Sequence, residues 1–347
     1  MMSLSPPAHR PLVSVVLPVR NEARDIGRCL DAILAQDYPA DRMEILVVDG
    51  MSSDATREVV ATYSRREPRV RLVENPGRIV PTALNAALRS FEGEILVRVD
   101  GHTVVDRDYV SQGVAALERT GADVVGGTMN AVGSSRFGRA VAIATSTPMG
   151  VGGSTFHYAT EERAAESVYM GTFRRDVFAR FGSFDERCRR NQDDEFNYRV
   201  REGGGRIYLV PSMTSRYFPR ESPRALFRQY FQYGYYKVLV ASLHPRMMRP
   251  RHFVPSIFVI GAACLAASAP LSRAGALLLA TALALHLSLS LALASKEGRT
   301  DLAGWILVPA ATLIIHFGYG SGFLTGCFAA LLGRAPGSSR RALGSAP

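Results

Sequence analysis

Two aspartates, Asp49 and Asp100, each close a short apolar run and each precede a glycine. A third acidic group, Asp193-Asp194-Glu195, follows much later in the chain. Carboxylates can accept hydrogen bonds from a nucleoside, ligate a divalent cation, or take a proton from a hydroxyl. In an open α/β sheet ligands bind beyond the carboxyl ends of the strands, so acids at strand ends are candidates for that work. Asp-Gly also favours turns and helix caps, and one such pair alone would read as a turn. Two of them with a later acidic cluster favour a site. The chain has no G-x-G-x-x-G after its first strand and no G-x-x-x-x-G-K-[ST], so the usual dinucleotide and phosphate loops are excluded. The absence of G-x-S-x-G argues against a serine hydrolase. A nucleotide bound here would need carboxylates for base and ribose and a metal for the phosphates.

The elements that must position these acids are legible. Residues 12–17, 44–48, 69–73 and 94–99 are short runs rich in valine, isoleucine and leucine. They end at Pro18, Asp49-Gly50, Asn75-Pro76-Gly77 and Asp100-Gly101-His102, and read as buried strands. Between them 22–35, 54–63 and 82–90 read as helices, the first with Ile26, Leu30, Ile33 and Leu34 on one stripe. This alternation predicts an α/β fold with a parallel sheet and helices on both faces. Asp54 stands at the start of the second helix, where it serves as an N-cap or as a further site acid.

At 347 residues the chain has room for two or three units. Hydrophobic residues make up 47% and mean hydropathy is +0.04, which excludes disorder and points to apolar spans. Four scattered cysteines with no C-x-x-C exclude a zinc or disulfide framework and suit a reducing compartment. The apolar excess lies after residue 252, in 253–272, 274–295 and 302–333. The first two are near the roughly 20 residues that cross a bilayer, and the third is long enough to exceed its core of about 30 Å. Arg273 alone separates the first two, as in a tight hairpin. In the third, Gly318, Gly322 and Gly326 share a helix face suited to close helix–helix approach. The other reading is a helix broken at Gly318-Tyr-Gly-Ser-Gly322.

Net charge is +10, and Arg246, Arg249 and Arg251 bunch just before the apolar part. That placement suits anionic membrane lipids rather than nucleic acid. The positive-inside rule puts 246–251 and 296–299 on the cytoplasmic side, and no apolar signal segment precedes residue 12. The expected organisation is a tail over 1–11, an α/β domain over 12–215, an interface region over 216–252, a transmembrane region over 253–333 with about three segments, and a basic tail over 334–347. The first 252 residues are expected in the cytoplasm, on a multi-pass protein.

The order strand-Pro-x-Arg-Asn-Glu, strand-Asp-Gly-x-Ser-Ser-Asp, Asn-Pro-Gly, strand-Asp-Gly-His and Asn-Gln-Asp-Asp-Glu, over about 12–240, resembles family 2 inverting glycosyltransferases of the GT-A fold. Within them it is similar to the membrane-anchored, succinoglycan-type exopolysaccharide glucosyltransferases of the bacterial inner membrane. The resemblance implies a nucleotide-sugar donor, UDP-linked, and a lipid-linked saccharide acceptor. Pro18, Asn21, Glu22, Asp49, Arg78 and Asp100 match nucleotide-binding positions, with Asp49 reading the base. Asp100 and His102 match the metal motif, histidine standing where a second acid is usual, for Mn2+ or Mg2+. Asp193 matches the general base, with Asp194 and Glu195 as alternatives. Gly171, Arg174, Asp194 and Gln229 match the acceptor side. Gly150 to Thr155 reads as a flexible loop. Around Gln229 the Gln-x-x-Arg-Trp of processive relatives is missing, and 229–237 reads as an amphipathic interface helix. The alternatives are a bare polyprenyl phosphate as acceptor, or a non-catalytic assembly subunit on the same fold.

Overall fold

The computed structural model describes residues 10–296, 302–334 and 337. The start of the N-terminal tail, the loop at 297–301, with most of the expected cytoplasmic stretch 296–299, and most of the basic tail beyond 334 lie outside the described residues. The strands are β1 Val13–Val19, β2 Met43–Asp49, β3 Val70–Glu74, β4 Ile95–Arg98, β5 Thr103–Val105, β6 Val124–Ala131, β7 Arg163–Ala164, β8 Tyr169–Arg174 and β9 Ile207–Tyr217. The helices are α1 Ile26–Leu34, α2 Thr56–Arg66, α3 Val80–Leu88, α4 Tyr109–Thr120, α5 Arg136–Thr145, α6 Pro148–Val151, α7 Asp176–Phe181, α8 Gln192–Glu202, α9 Pro223–Leu243, α10 Val254–Ser268, α11 Arg273–Lys296 and α12 Leu302–Leu331. The chain forms two compact units, the first from residues 10–130, 159–186 and 192–217.

The first unit is one sheet in the order β3-β2-β1-β4-β8-β6-β9-β5, with β7 beside β9. β1 pairs in parallel with β2 and β4, and β2 with β3, as the alternation predicts. Both β1 and β2 are buried along their whole length, because helices cover both faces, and they read as unbroken apolar runs. Val15, Leu17, Ile45, Val47 and Val97 pack with Ile26, Leu30 and Ile33 of α1 in its main core. The other half is antiparallel: β8 runs against β4 and β6, and β9 against β5 and β7. The carboxyl ends of β1, β2 and β3 lead into loops with Asn21, Met51 and Arg78 at φ of 56°, 57° and 61°. A non-glycine residue held left-handed is uncommon, and three at one sheet edge mark that edge as specialised.

The second unit contains 131–158, 187–191 and the chain from 218 onward. Ser222 caps α9, its hydroxyl accepting from Ala225 N at 3.3 Å, and Pro223 follows at N1. Gly150 to Thr155 is more ordered than the expected loop. Thr147 caps the short α6, and a 3-10 turn follows at Thr155–His157. In α5, Ala140, Val141, Ile143 and Ala144 pack with Leu226, Val308, Ala311 and Ile315.

Among the described residues two helices are long and apolar enough to cross a membrane, over Arg273–Ala292 and Ile306–Leu331. The first expected segment, 253–272, falls short. α10 has 15 residues, about 22 Å at 1.5 Å per residue against a core of about 30 Å. α11 exposes Leu277, Leu278, Leu285, Leu287 and Leu289 along its length, an apolar face of the kind that meets lipid.

α12 runs unbroken through Gly318 to Gly322, so the broken-helix reading fails. Its glycine face does allow close approach, and the partner is α9. A Cβ on Gly322 would collide with the Phe231 carbonyl, and one on Gly326 would lie 2.8 Å from the Tyr235 carbonyl. Gly234 of α9 meets the Tyr319 carbonyl in the same way. Gly322→Ala is therefore expected to destabilise the second unit by about 1–3 kcal/mol, the usual cost of overpacking. Thermal unfolding in detergent checks it, with Gly261→Ala as the neutral control, since nothing lies within 4 Å of that Cβ position.

Candidate active site

The first unit joins Asp100 to Asp193 through a residue absent from the motif reading, and pairs His102 with Glu22. Arg98, the last residue of β4, is 3% exposed. Its Nε and Nη2 donate to Asp100 Oδ1 at 3.0 and 2.8 Å, and its Nη1 donates to Asp193 Oδ1. Burial opposes the charge on Arg98, and the two carboxylates outweigh it and hold the pKa above the usual arginine value. For Asp100, burial raises the pKa, but the charges of Arg98 and His102 and the bonds from Arg98 and Tyr169 win and hold it below the usual range. The Tyr169 hydroxyl donates to Asp100 Oδ2 at 3.3 Å. Burial, then the Asp100 charge, keep that hydroxyl protonated as a donor.

Asp193 goes the other way. Burial pushes it up to about 6; Arg98 pulls it down, while Asp100 and Asp194 add repulsion. It sits in the first turn of α8, and the rest of that helix is firmly held. Phe196 packs into the aromatic group of Phe173, Phe178 and Phe184. Glu195 forms a two-pronged pair with Arg199 at 2.7 and 2.9 Å. Asp194 accepts from Ser167 Oγ at 2.9 Å. Asp193 is tied to Asp100 through Arg98, and Glu195 is buried against its own arginine.

His102 lies beyond the end of β4, its Nδ1 3.1 Å from Glu22 Oε1 and its ring centroid 5.9 Å from that of Tyr217. Glu22 is positioned by its own N–H, which donates to Thr56 Oγ1 at 2.8 Å. Asp49 is fully buried and accepts from Ser52 N at 3.1 Å, with Arg57 Nη1 at 3.6 Å. Asn21 N donates to Ser52 Oγ at 2.9 Å and its Oδ1 accepts from Ser53 N at 2.8 Å. The β1–α1 and β2–α2 loops are thus stitched together. Asp54 joins them, accepting from Thr56 N at 3.0 Å and Ala23 N at 3.1 Å; it is not the N-cap of α2, which is Ala55, but closes a turn one residue before it. Pro18 is buried in β1 opposite Val48. Arg78 is exposed in the β3–α3 loop.

The acceptor-side residues divide. Arg174 does not face a ligand: its Nε donates to Ala122 O at 3.0 Å and its Nη2 to Leu117 O at 2.6 Å, where it closes the end of α4. The orphan carbonyls of a helix end attract such a cation. Gly171 is buried in β8, where a Cβ would strike the Phe173 ring, so its smallness serves packing. Gln229 lies in α9 of the second unit and donates to the Tyr233 hydroxyl at 3.0 Å. Cys29, bonded to the Asp100 carbonyl at 3.6 Å, has its thiol pushed up by burial and by Asp100, so it is no nucleophile.

The motif reading passed over Arg98 and Tyr169. Arg98 had a signal: a charged residue inside the run Ile95-Leu-Val-Arg-Val99 must find a buried partner. Tyr169 had none, since its approach to Asp100 depends on β8 running antiparallel beside β4.

The model of the family described as "Glycosyl transferase family 2" matches residues 14–182. The chain is 33% identical over 222 residues to "Succinoglycan biosynthesis protein ExoA" of Rhizobium meliloti (strain 1021), covering 63% of this chain and 67% of that protein. A "Dolichyl N-acetyl-alpha-D-glucosaminyl phosphate 3-beta-D-2,3-diacetamido-2,3-dideoxy-beta-D-glucuronosyltransferase" of Methanococcus voltae is 27% identical, over 66% of this chain and 73% of its own. Among solved structures, the mannosyltransferase PcManGT from Pyrobaculum calidifontis, in complex with GDP-Man and Mn2+, superposes with a TM-score of 0.60 at 25% identity. That match covers 90% of this chain and 88% of the other. With strand-end acids, a mixed sheet and this kinship in agreement, the chain is a glycosyltransferase of the GT-A fold and belongs to glycosyl transferase family 2.

Proposed function

We propose that this glycosyltransferase moves glucose from UDP-glucose to a lipid-linked oligosaccharide in exopolysaccharide biosynthesis, at the cytoplasmic face of the bacterial inner membrane. The carrying observation is the Arg98 bridge between Asp100 and Asp193. It puts the strand-end acid that faces a donor and the helix acid that can act as base in one cluster. In a single displacement the acceptor oxygen bonds to the anomeric carbon as the bond to UDP breaks, with inversion. Asp193 takes the hydroxyl proton, and UDP leaves with the electron pair. Asn21, Glu22, Asp49 and Arg78, with Pro18 beneath them, line the nucleotide, Asp49 accepting from the base. Asp194, beside Asp193, belongs to the acceptor side.

Asp100 and His102 would hold a divalent cation. Among the described residues no group of three or more His, Cys, Asp or Glu side chains forms a ready-made site. Mg2+ and similar ions instead take one or two protein ligands and complete their shell with substrate phosphates and water. The donor set fits that pattern. Among the described residues Asp100 Oδ2 carries only the long bond from Tyr169, and Glu22 stands beside His102 as the carboxylate that would fix its ring. Such an ion supplies charge neutralisation for the departing diphosphate.

The acceptor assignment is supported by the names of two relatives, one of succinoglycan biosynthesis and one that acts on a dolichyl-phosphate-linked sugar. The exposed leucines of α11 would keep the enzyme beside such an acceptor. The test is nucleotide release by detergent-purified enzyme from UDP-glucose, UDP-galactose, UDP-GlcNAc and GDP-mannose, each with Mn2+, Mg2+ or EDTA. GDP-mannose belongs in the set because the solved mannosyltransferase binds it. Metal-dependent release from UDP-glucose alone is expected. Release from GDP-mannose alone would overturn the donor, and transfer to bare polyprenyl phosphate would overturn the acceptor.

A further inference from the structure

We propose that Arg98 is a positioning residue for transfer: its guanidinium takes one oxygen of Asp100 and one of Asp193, and leaves the second oxygen of each for ligand and proton. This rests on the reading of Asp193 as the base. β4 is buried at all four positions, and a lone charge there would be costly, so the arginine persists only with its partners. Its planar fork sets the angle between them. Nε and Nη2 converge on Asp100 Oδ1, and Nη1 reaches Asp193 Oδ1 on the other side. A lysine ammonium supplies charge but cannot hold that angle.

The two carboxylates do not depend on Arg98 equally. Asp100 keeps a second contact, from the Tyr169 hydroxyl to Oδ2. The Asp193 carboxylate has no hydrogen bond other than the one from Arg98 among the described residues, and its Oδ2 has none. Loss of the fork therefore releases the base more than the donor-side acid. Its effect falls on turnover rather than on donor binding.

The experiment uses the full chain in detergent. Arg98→Lys is expected to fold, to keep donor KM within about threefold, and to lose about 100-fold in kcat, the usual effect of a misplaced group. Arg98→Ala is expected to regain turnover in millimolar guanidinium, at unchanged KM. A wild-type kcat in Arg98→Lys, or a loss confined to donor KM, would overturn the proposal. So would failure of Arg98→Lys to fold, which would make the side chain a prop of the sheet. Asp193→Asn is assayed alongside. If it keeps its turnover, the base assignment falls and this inference with it. If it is inactive while Arg98→Lys is normal, only the inference falls. If Arg98→Ala does not fold, the kcat and KM of Arg98→Lys decide.

Discussion

Asp193→Asn will lower turnover by about 100- to 10,000-fold, the contribution of a placed general base, and will make the folded protein more stable at pH 7.5. Both follow from one carboxylate. As base it must be unprotonated, and burial with Asp100 and Asp194 nearby pushes its pKa up to about 6. Wild-type turnover should thus fall about tenfold per pH unit below 6, two units earlier than for an ordinary aspartate. The stability sign is the reverse of a normal ion pair. A carboxylate whose folded pKa is raised costs nothing below its unfolded value near 4 and costs progressively more as pH rises to 6. Above 6 that cost is on the order of 2–3 kcal/mol. Asparagine removes it and can still accept from Arg98, which keeps Asp100 as its counter-ion. The checks are a pH–rate profile and unfolding midpoints of both proteins at pH 5 and 7.5. The gap in midpoint should shrink at the lower pH. A variant equally inactive but less stable at pH 7.5 would mean that Asp193 is a structural acid.

The parallel half of the sheet and the candidate acids were legible because both are local signals. β1, β2 and β4 are buried on both faces and announce themselves as apolar runs, and the acids stand where those runs stop. The antiparallel half was not legible. β6 carries Gly126 and Gly127, and β9 mixes Ser212, Thr214, Ser215 and Arg216 with apolar residues, so neither shows a clean pattern. What depends on that half was missed with it: Tyr169 reaches Asp100 only because β8 lies beside β4. Arg174 misled for the opposite reason. An arginine near an acceptor motif invites a phosphate, but a helix end nearby offered carbonyls first. The glycines of α12 gave the right mechanism and a different partner, since spacing shows a face for close approach and not which helix will meet it.

Asp100→Asn should be the most damaging change on the donor side, His102→Ala next and Glu22→Gln mildest. The order follows from the role each would have toward a cation: anionic ligand, neutral ligand, and partner of a ligand. Asp100 would contribute the anionic ligand, and its pKa is held low because Arg98 and His102 overcome the effect of burial. Protonation of Asp100 should therefore not limit metal binding through the working pH range. Asparagine at that position removes the charge and leaves Arg98 with Asp193 as its only carboxylate partner. A loss of about 1,000-fold or more in kcat/KM is expected where charge stabilisation of a leaving group is removed. Toward the metal Glu22 would act through the His102 ring, and such outer partners are worth about 10- to 100-fold in metal affinity. The readout is Mn2+ binding in the presence of UDP, followed by magnetic resonance or calorimetry, so that it does not depend on turnover. His102→Asp is the discriminating member of the series. Imidazole suits manganese better than magnesium, and a second carboxylate suits magnesium. Replacing the ring by a carboxylate should keep metal binding and lower the ratio of Mn2+- to Mg2+-supported activity. An unchanged ratio, with binding intact, would place His102 outside the coordination sphere and leave Asp100 as the single protein ligand.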